Sequence, residues 1–163
     1  MRNNSLQNPD ITISSLSEEE TRTKGKILSK NIQIGDLIFL IGELGAGKTR
    51  FVQGLSMGIN SPQIARSPTF VLITEYIGDI ILYHCDLYRI SIPEEVVDLE
   101  LEELLDKGAL VVEWPEKGGE YMPDPDLIIS TEINQDNSRK LLFFSYSERG
   151  KTLLKHMKKK YLK

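Results

Sequence analysis

The stretch "DLIFLIGELGAGKTRF" (36–51) constrains the fold more than any other part of the chain. Residues 36–41 form an almost continuous apolar run, the pattern of a strand buried on both faces. From Lys48 onward the apolar residues Phe51, Val52, Leu55 and Met57 take helical spacing, and Gly58 is placed to cap that helix. Between strand and helix, Gly42-Glu43-Leu44-Gly45-Ala46-Gly47-Lys48-Thr49 fits G-x-x-x-x-G-K-[ST]. Glycines let the backbone curl so that successive N–H groups face one hollow, and the following helix adds the positive end of its dipole. Lys48 offers a point charge to β- and γ-phosphates, and the Thr49 hydroxyl can join the shell of a Mg²⁺ ion. A chance glycine turn has no reason to fill every defining position with the right elements on both sides. Glu43, Leu44, Gly45, Ala46, Gly47, Lys48, Thr49 and Arg50 are therefore the expected nucleotide contacts.

The rest of the chain alternates strand and helix signals, which predicts an α/β fold. "ITIS" (11–14) reads as a short strand, and Ser17 with Glu20 matches a capping box opening a helix over 18–30. "TFVLITEYI" and "IILYHCDLY" flank Gly78-Asp79, a hairpin signal inserted into the α/β pattern. "PEEVVDLELEELLDKG" begins at Pro93, carries leucines at helical spacing and ends on Gly108, so it reads as a helix broken near Leu99. "ALVVEW" (109–114) is a second buried strand. "LIISTEI" and "KLLFFSY" form another hairpin around "NQDN". The expected organisation is a disordered N-terminus over 1–10, one domain over 11–146, and a basic helical tail over 147–163.

A phosphate-binding loop needs an acid to fix the metal and something to position the attacking water. Glu113 closes an apolar strand, where an acid is costly without a partner. Asp86 lies two residues after His84 in "YHCDLYR", so alternation puts both on one face. On spacing alone Asp86 is as well explained by a strand-end cap or an arginine partner; His84 could act as a base, but a satisfied strand histidine is the commoner case. No N-K-x-D element for guanine occurs, which favours ATP over GTP. The loop 115–126 contains no arginine, which counts against a kinase with an arginine-bearing lid. One cysteine and two histidines allow neither a disulfide nor a cysteine–histidine metal cluster.

The net charge of −4 argues against wholesale polyanion binding, but the charges are segregated. Residues 94–106 carry seven acids and no base, whereas 149–163 carry seven bases and no acid. Such runs are mostly solvated faces; contact of the basic tail with RNA or an acidic partner is the minority reading. The N-terminus lacks a signal-peptide apolar region, and the apolar runs are too short to span a bilayer, so a cytoplasmic location is expected.

Four segments together, "GELGAGKT", "SPTF" (67–70), "HCDLYR" (84–89) and "EWPE" (113–116), in this order and spacing, resemble the TsaE (YjeE) family. The resemblance covers roughly residues 11–146. It implies a P-loop NTPase-like, three-layer fold with a mixed sheet: a parallel core with antiparallel hairpins, flanked by helices. It also implies a small Mg²⁺-dependent ATPase, weak alone, that binds ATP or ADP and serves tRNA threonylcarbamoyladenosine synthesis. TsaD-like and TsaB-like proteins would be the partners, with tRNA engaged through their complex. Lys48 and Thr49 carry over as phosphate and Mg²⁺ contacts. Thr69 falls in a switch-like loop near the γ-phosphate, Trp114 beside the nucleotide, and Asp86 and Glu113 at the metal or attacking water. Cys85 replaces a common aromatic and Arg50 a common small polar residue; neither occupies a catalytic position. Two other readings are a docking switch without essential hydrolysis and a small-molecule kinase.

Overall fold

The computed structural model describes residues 8–68 and 70–162. Seven strands form one mixed sheet: β1 (Ile11–Ser15), β2 (Leu37–Gly42), β3 (Ile73–Ile77), β4 (Ile81–Asp86), β5 (Ala109–Glu113), β6 (Leu127–Ile133) and β7 (Arg139–Ser145). Their spatial order is β1-β7-β6-β2-β5-β4-β3. The centre is parallel, with β2 flanked by β5 and β6 and β5 flanked by β4. The two hairpins, β3–β4 and β6–β7, add the antiparallel pairings, and β1 closes the far edge against β7.

Side-chain alternation along the central strands makes the three layers. On β2, Ile38 and Leu40 face one core while Leu37 and Phe39 face the other. Ala109 and Val111 on β5 join the first core, Leu110 and Val112 the second. The first core is covered by α1 (Glu18–Leu28), α2 (Lys48–Gly58) and two C-terminal helices, α4 (Glu148–Leu153) and α5 (Lys155–Tyr161). The second is covered by the 3₁₀ segment Pro93–Leu99, by α3 (Leu101–Leu105) and by Pro115–Tyr121.

Local chemistry sets the element ends. Ser17 Oγ accepts the Glu20 N–H at 3.1 Å, and Glu20 reaches back to the Leu16 N–H at 3.0 Å, one residue before the cap. The helix expected over 18–30 ends at Leu28 and tightens into a 3₁₀ turn over Ser29–Asn31. Helices α1 and α2 cross closely: a Cβ at Gly54 would stand 2.0 Å from the Arg22 carbonyl oxygen. Gly58 is the last residue of α2, with Ile59 as its cap, and Met57 is 49% exposed, outside the apolar face expected to include it. The acidic segment differs more. It breaks at Glu100, whose φ is +50°, and only Leu101–Leu105 is α-helical.

The chain's ends are partly tied down. Residues 1–7 lie outside the described residues, but within the segment read as disordered Asp10 accepts from the Ser145 N–H at 2.8 Å. Leu153, Leu154 and Met157 are fully buried, so α4 and α5 contribute to the first core. Arg149 clasps Asp36 with two hydrogen bonds, 2.6 and 2.8 Å long. Among the described residues no helix is long and apolar enough to cross a membrane.

Candidate functional site

Parallel strands deliver their C-terminal ends to one edge of the sheet, the usual place for a ligand in an open α/β fold. Here β2 runs into the glycine loop, while Asp86 ends β4 and Glu113 ends β5 in direct register. A cavity of about 450 Å³ opens above them. Gly45 and Gly47 line it with φ of +80° and +98°, left-handed geometry that a side chain at either position would strain. Gly47 caps α2, so the loop's N–H groups and the start of that helix share one hollow.

Lys48 is 6% exposed. Its Nζ donates to the carbonyl oxygens of Gly42 at 2.7 Å and Glu43 at 2.9 Å, and lies 4.2 Å from the centre of the Trp114 ring. An ammonium has three N–H donors, so one remains for a ligand. Burial pushes Lys48 below the ordinary lysine range, while the charges of Glu113, Asp86 and Glu116 act the other way.

Glu113 is the junction of the site. Its Oε1 accepts the Thr49 hydroxyl at 3.0 Å and lies 2.9 Å from His84 Nε2. Asp86, 3% exposed, is fixed separately: Ser67 Oγ donates to its Oδ2 at 2.7 Å, and the Tyr88 N–H to its Oδ1 at 3.0 Å. The floor therefore holds one ammonium, two carboxylates and the hydroxyls of Thr49 and Ser67. These groups fit a magnesium–nucleotide, because Mg²⁺ takes few protein ligands and shares its shell with phosphate and water. Among the described residues no group of three or more His, Cys, Asp or Glu side chains is arranged to hold a metal alone.

Of the residues singled out from sequence, Leu44, Gly45, Gly47, Lys48, Thr49, Arg50, Asp86, Glu113 and Trp114 line this cavity. Glu43 and Ala46 do not; Glu43 contributes its carbonyl to Lys48, and Ala46 is fully buried behind the loop. Arg50 is engaged at the rim by Glu18 at 3.0 Å and Gln53 at 3.2 Å. β5 ends at Glu113, as its apolar run predicts, and Trp114 takes φ +58° with its ring against the Lys48 ammonium. Thr69 lies outside the described residues.

Other residues reach the site that sequence reasoning missed. Glu18 and Thr21 arrive from the start of α1, Tyr88 packs on Trp114 with ring centres 5.1 Å apart, and Arg139 donates to the Gly45 carbonyl at 3.3 Å. Ser67 was visible in "SPTF", but its bond to Asp86 spans 19 positions. Arg139 had no local signal, since it reaches the loop only because β7 lies two strands from β2. The missing lid arginine was correct for 115–126, yet Arg50 and Arg139 both line the cavity.

Comparison with known proteins points one way. The family model described as "Threonylcarbamoyl adenosine biosynthesis protein TsaE" matches residues 15–141. The chain is similar to tRNA threonylcarbamoyladenosine biosynthesis protein TsaE of Treponema pallidum, 34% identical over 78% of this chain and 95% of that protein. It is also similar to that of Bacillus subtilis, 34% identical over 87% and 90%. A third relative, from Nostoc, is 40% identical over 75% and 78%. The crystal structure of Bacillus subtilis YdiB superposes with a TM-score of 0.80 at 30% identity, covering 92% of this chain and 95% of that one. The glycine loop, the paired acids at the strand ends and these matches over most of the chain agree: it belongs to the TsaE family.

Proposed function

We propose that this chain is a Mg²⁺-dependent ATPase of tRNA threonylcarbamoyladenosine synthesis, hydrolysing ATP in the cytoplasm to support turnover of TsaD-like and TsaB-like partners. The observation that carries the reading is the Thr49–Glu113 hydrogen bond, which joins the metal-binding position of the loop to an acid beyond it. Asp86 stands beside that acid on the neighbouring strand. The family relatives, each named for tRNA threonylcarbamoyladenosine biosynthesis, support the biological role.

In this reading the loop N–H groups and the third Lys48 donor hold the β- and γ-phosphates. Thr49, with Asp86 and Glu113 behind it, would hold a Mg²⁺ ion and its water. When bound, Mg²⁺ neutralises charge that develops on the phosphates. Glu113 and Asp86 orient the attacking water, and Trp114 and Tyr88 wall one side of the cavity against solvent. The protein's contribution is positioning and charge compensation rather than covalent chemistry.

A docking switch is the second reading, and one observation favours it. Three and four residues after the Ser67 that grips Asp86, Phe70 is 82% and Val71 67% exposed, an apolar surface offered close in sequence to the cavity. Measuring ATPase activity alone, then with TsaB and TsaD homologues, with and without tRNA, tests the first reading. Hydrolysis that stays absent in the full mixture refutes it. Single-turnover modification supported by a non-hydrolysable ATP analogue favours the switch.

A further inference from the structure

His84 sits on β4 with no exposed surface, one strand from Glu113. A buried imidazole costs desolvation free energy that an apolar side chain of similar size would not. Two apolar neighbours on the same strand, Leu82 and Cys85, fill comparable positions at 0% exposure. What the imidazole supplies in return is visible in its two nitrogens. Nε2 lies 2.9 Å from Glu113 Oε1, and a carboxylate only accepts, so Nε2 carries the proton. Nδ1 is buried and has no hydrogen-bond partner among the described residues. An N–H there would be an orphaned donor, whereas a bare ring nitrogen is the milder loss. The ring thus presents one donor, Nε2–H, to Glu113.

We infer that His84 is a positioning residue: with Thr49 it grips Glu113 Oε1 from a second side and leaves Oε2 for the attacking water or the hydrated metal. The inference rests on the proposed ATPase reading of the cavity. Thr49 alone offers one short, rotatable hydroxyl, and a carboxylate held at one point can swing about it. Two donors on the same oxygen, from α2 and from β4, fix both the position and the plane of the group. The histidine acts through Glu113 and touches neither nucleotide nor metal.

The test uses the full chain with its partner proteins and compares His84→Phe, which keeps the ring, with His84→Gln, whose amide N–H can reach Glu113. Outer partners of metal-site ligands typically change function by about 10- to 100-fold, and a kcat loss of that size is expected for His84→Phe. Metal-free nucleotide affinity should stay within about twofold, because no nucleotide contact is removed. His84→Gln should recover most of the activity. In a Glu113→Gln background, His84→Phe should cost little more, since the carboxylate it positions is already gone. An equal loss in both backgrounds, or no loss in the first, overturns the inference. If wild-type protein fails to hydrolyse ATP, the ATPase reading fails, and two other measurements still decide this one. Nitrogen-15 NMR of wild-type protein should show Nε2 protonated, and a ring protonated at Nδ1 alone refutes the contact. The Mg²⁺ concentration that half-saturates nucleotide binding, read from Trp114 fluorescence, should rise in His84→Phe; an unchanged value together with an unchanged kcat refutes the positioning.

Discussion

Thr49 and Glu113 are 64 positions apart in sequence, yet the Thr49 hydroxyl donates to Glu113 Oε1 at 3.0 Å. The contact exists because β2, which delivers Thr49, pairs in parallel with β5, which ends at Glu113. Glu113→Gln keeps an accepting oxygen at that point and removes the charge. It should lower kcat by about 100-fold or more, the range for loss of a positioned acid–base group, while nucleotide affinity changes only a few-fold. Steady-state ATPase assays beside calorimetric nucleotide titrations check this. Hydrolysis at the wild-type rate would remove Glu113 from the chemistry.

Much of this site was legible in the sequence because its chemistry is local. The glycine loop, Lys48 and Thr49 sit in one uninterrupted strand–loop–helix unit, and Glu113 announces itself as an acid after four apolar residues. The sheet centre was legible for the same reason, since continuous apolar runs mark strands covered on both faces. Residues that arrive by topology were not. Arg139 and Glu18 carry no pattern that separates them from ordinary surface charges, and only the strand order places them at the loop. In the acidic segment the break expected near Leu99 falls at Glu100, but leucine spacing could not reveal that Pro93–Leu99 winds as a 3₁₀ segment instead of an α-helix. His84 was read as a satisfied strand histidine. Its partner, Glu113, could not be known before β4 and β5 were paired.

Lys48 is the one cation buried on the cavity floor among the described residues, and two of its donors are already spent on the loop's own carbonyls. Lys48→Ala should weaken nucleotide binding by at least about tenfold, since a hydrogen bond from a charged group contributes roughly 1.5–3 kcal/mol. Calorimetry reads this directly. The same variant uncovers the Trp114 ring, so the fluorescence of the chain's single tryptophan should shift even without nucleotide. Unchanged affinity would detach Lys48 from phosphate binding.

The C-terminal helices carry six of the chain's twenty lysines and arginines but hold to the domain through apolar residues. Met157 is fully buried in the first core beside Leu153 and Leu154. Met157→Ala should cost about 2–5 kcal/mol of stability, as for other large-to-small core changes. Lys159→Ala, exposed on the same helix, should stay within about 0.5 kcal/mol. Urea melts of both variants give the comparison, and similar midpoints would mean that α5 is not part of the cooperative core.

Asp10 gives the acid limb of stability. Burial alone would raise its pKa, but the Ser145 N–H, the Ser145 hydroxyl and Lys158 outweigh that and hold it below the usual aspartate value of 3.8. A carboxyl lowered in the folded state contributes stability that is fully present above its unfolded pKa. That contribution is lost as pH falls through the folded value. Wild type should therefore lose stability below about pH 4 more steeply than Asp10→Asn. The two should differ by a constant amount near neutrality. Denaturant midpoints measured from pH 7 down to pH 3 decide it, and parallel curves throughout would contradict the assignment.

Cys85 tests the packing of the second core with no mutation at all. Its thiol is fully buried, and burial, with Asp86 next to it adding negative charge, pushes its pKa up to about 12. At pH 8 that leaves about one part in ten thousand as thiolate, the form that reacts with disulfide reagents. Native protein should therefore resist an aromatic disulfide reagent for as long as it stays folded. One thiol per chain should then appear on denaturation, since the sequence holds a single cysteine. Because the side chain lies between Tyr83, Leu87 and Val112 in the core behind the nucleotide cavity, local fraying of β4 would expose it without global unfolding. Nucleotide that clamps Asp86 in place should slow that exposure. Reaction at the same slow rate with and without ATP would separate the motion of β4 from occupancy of the site.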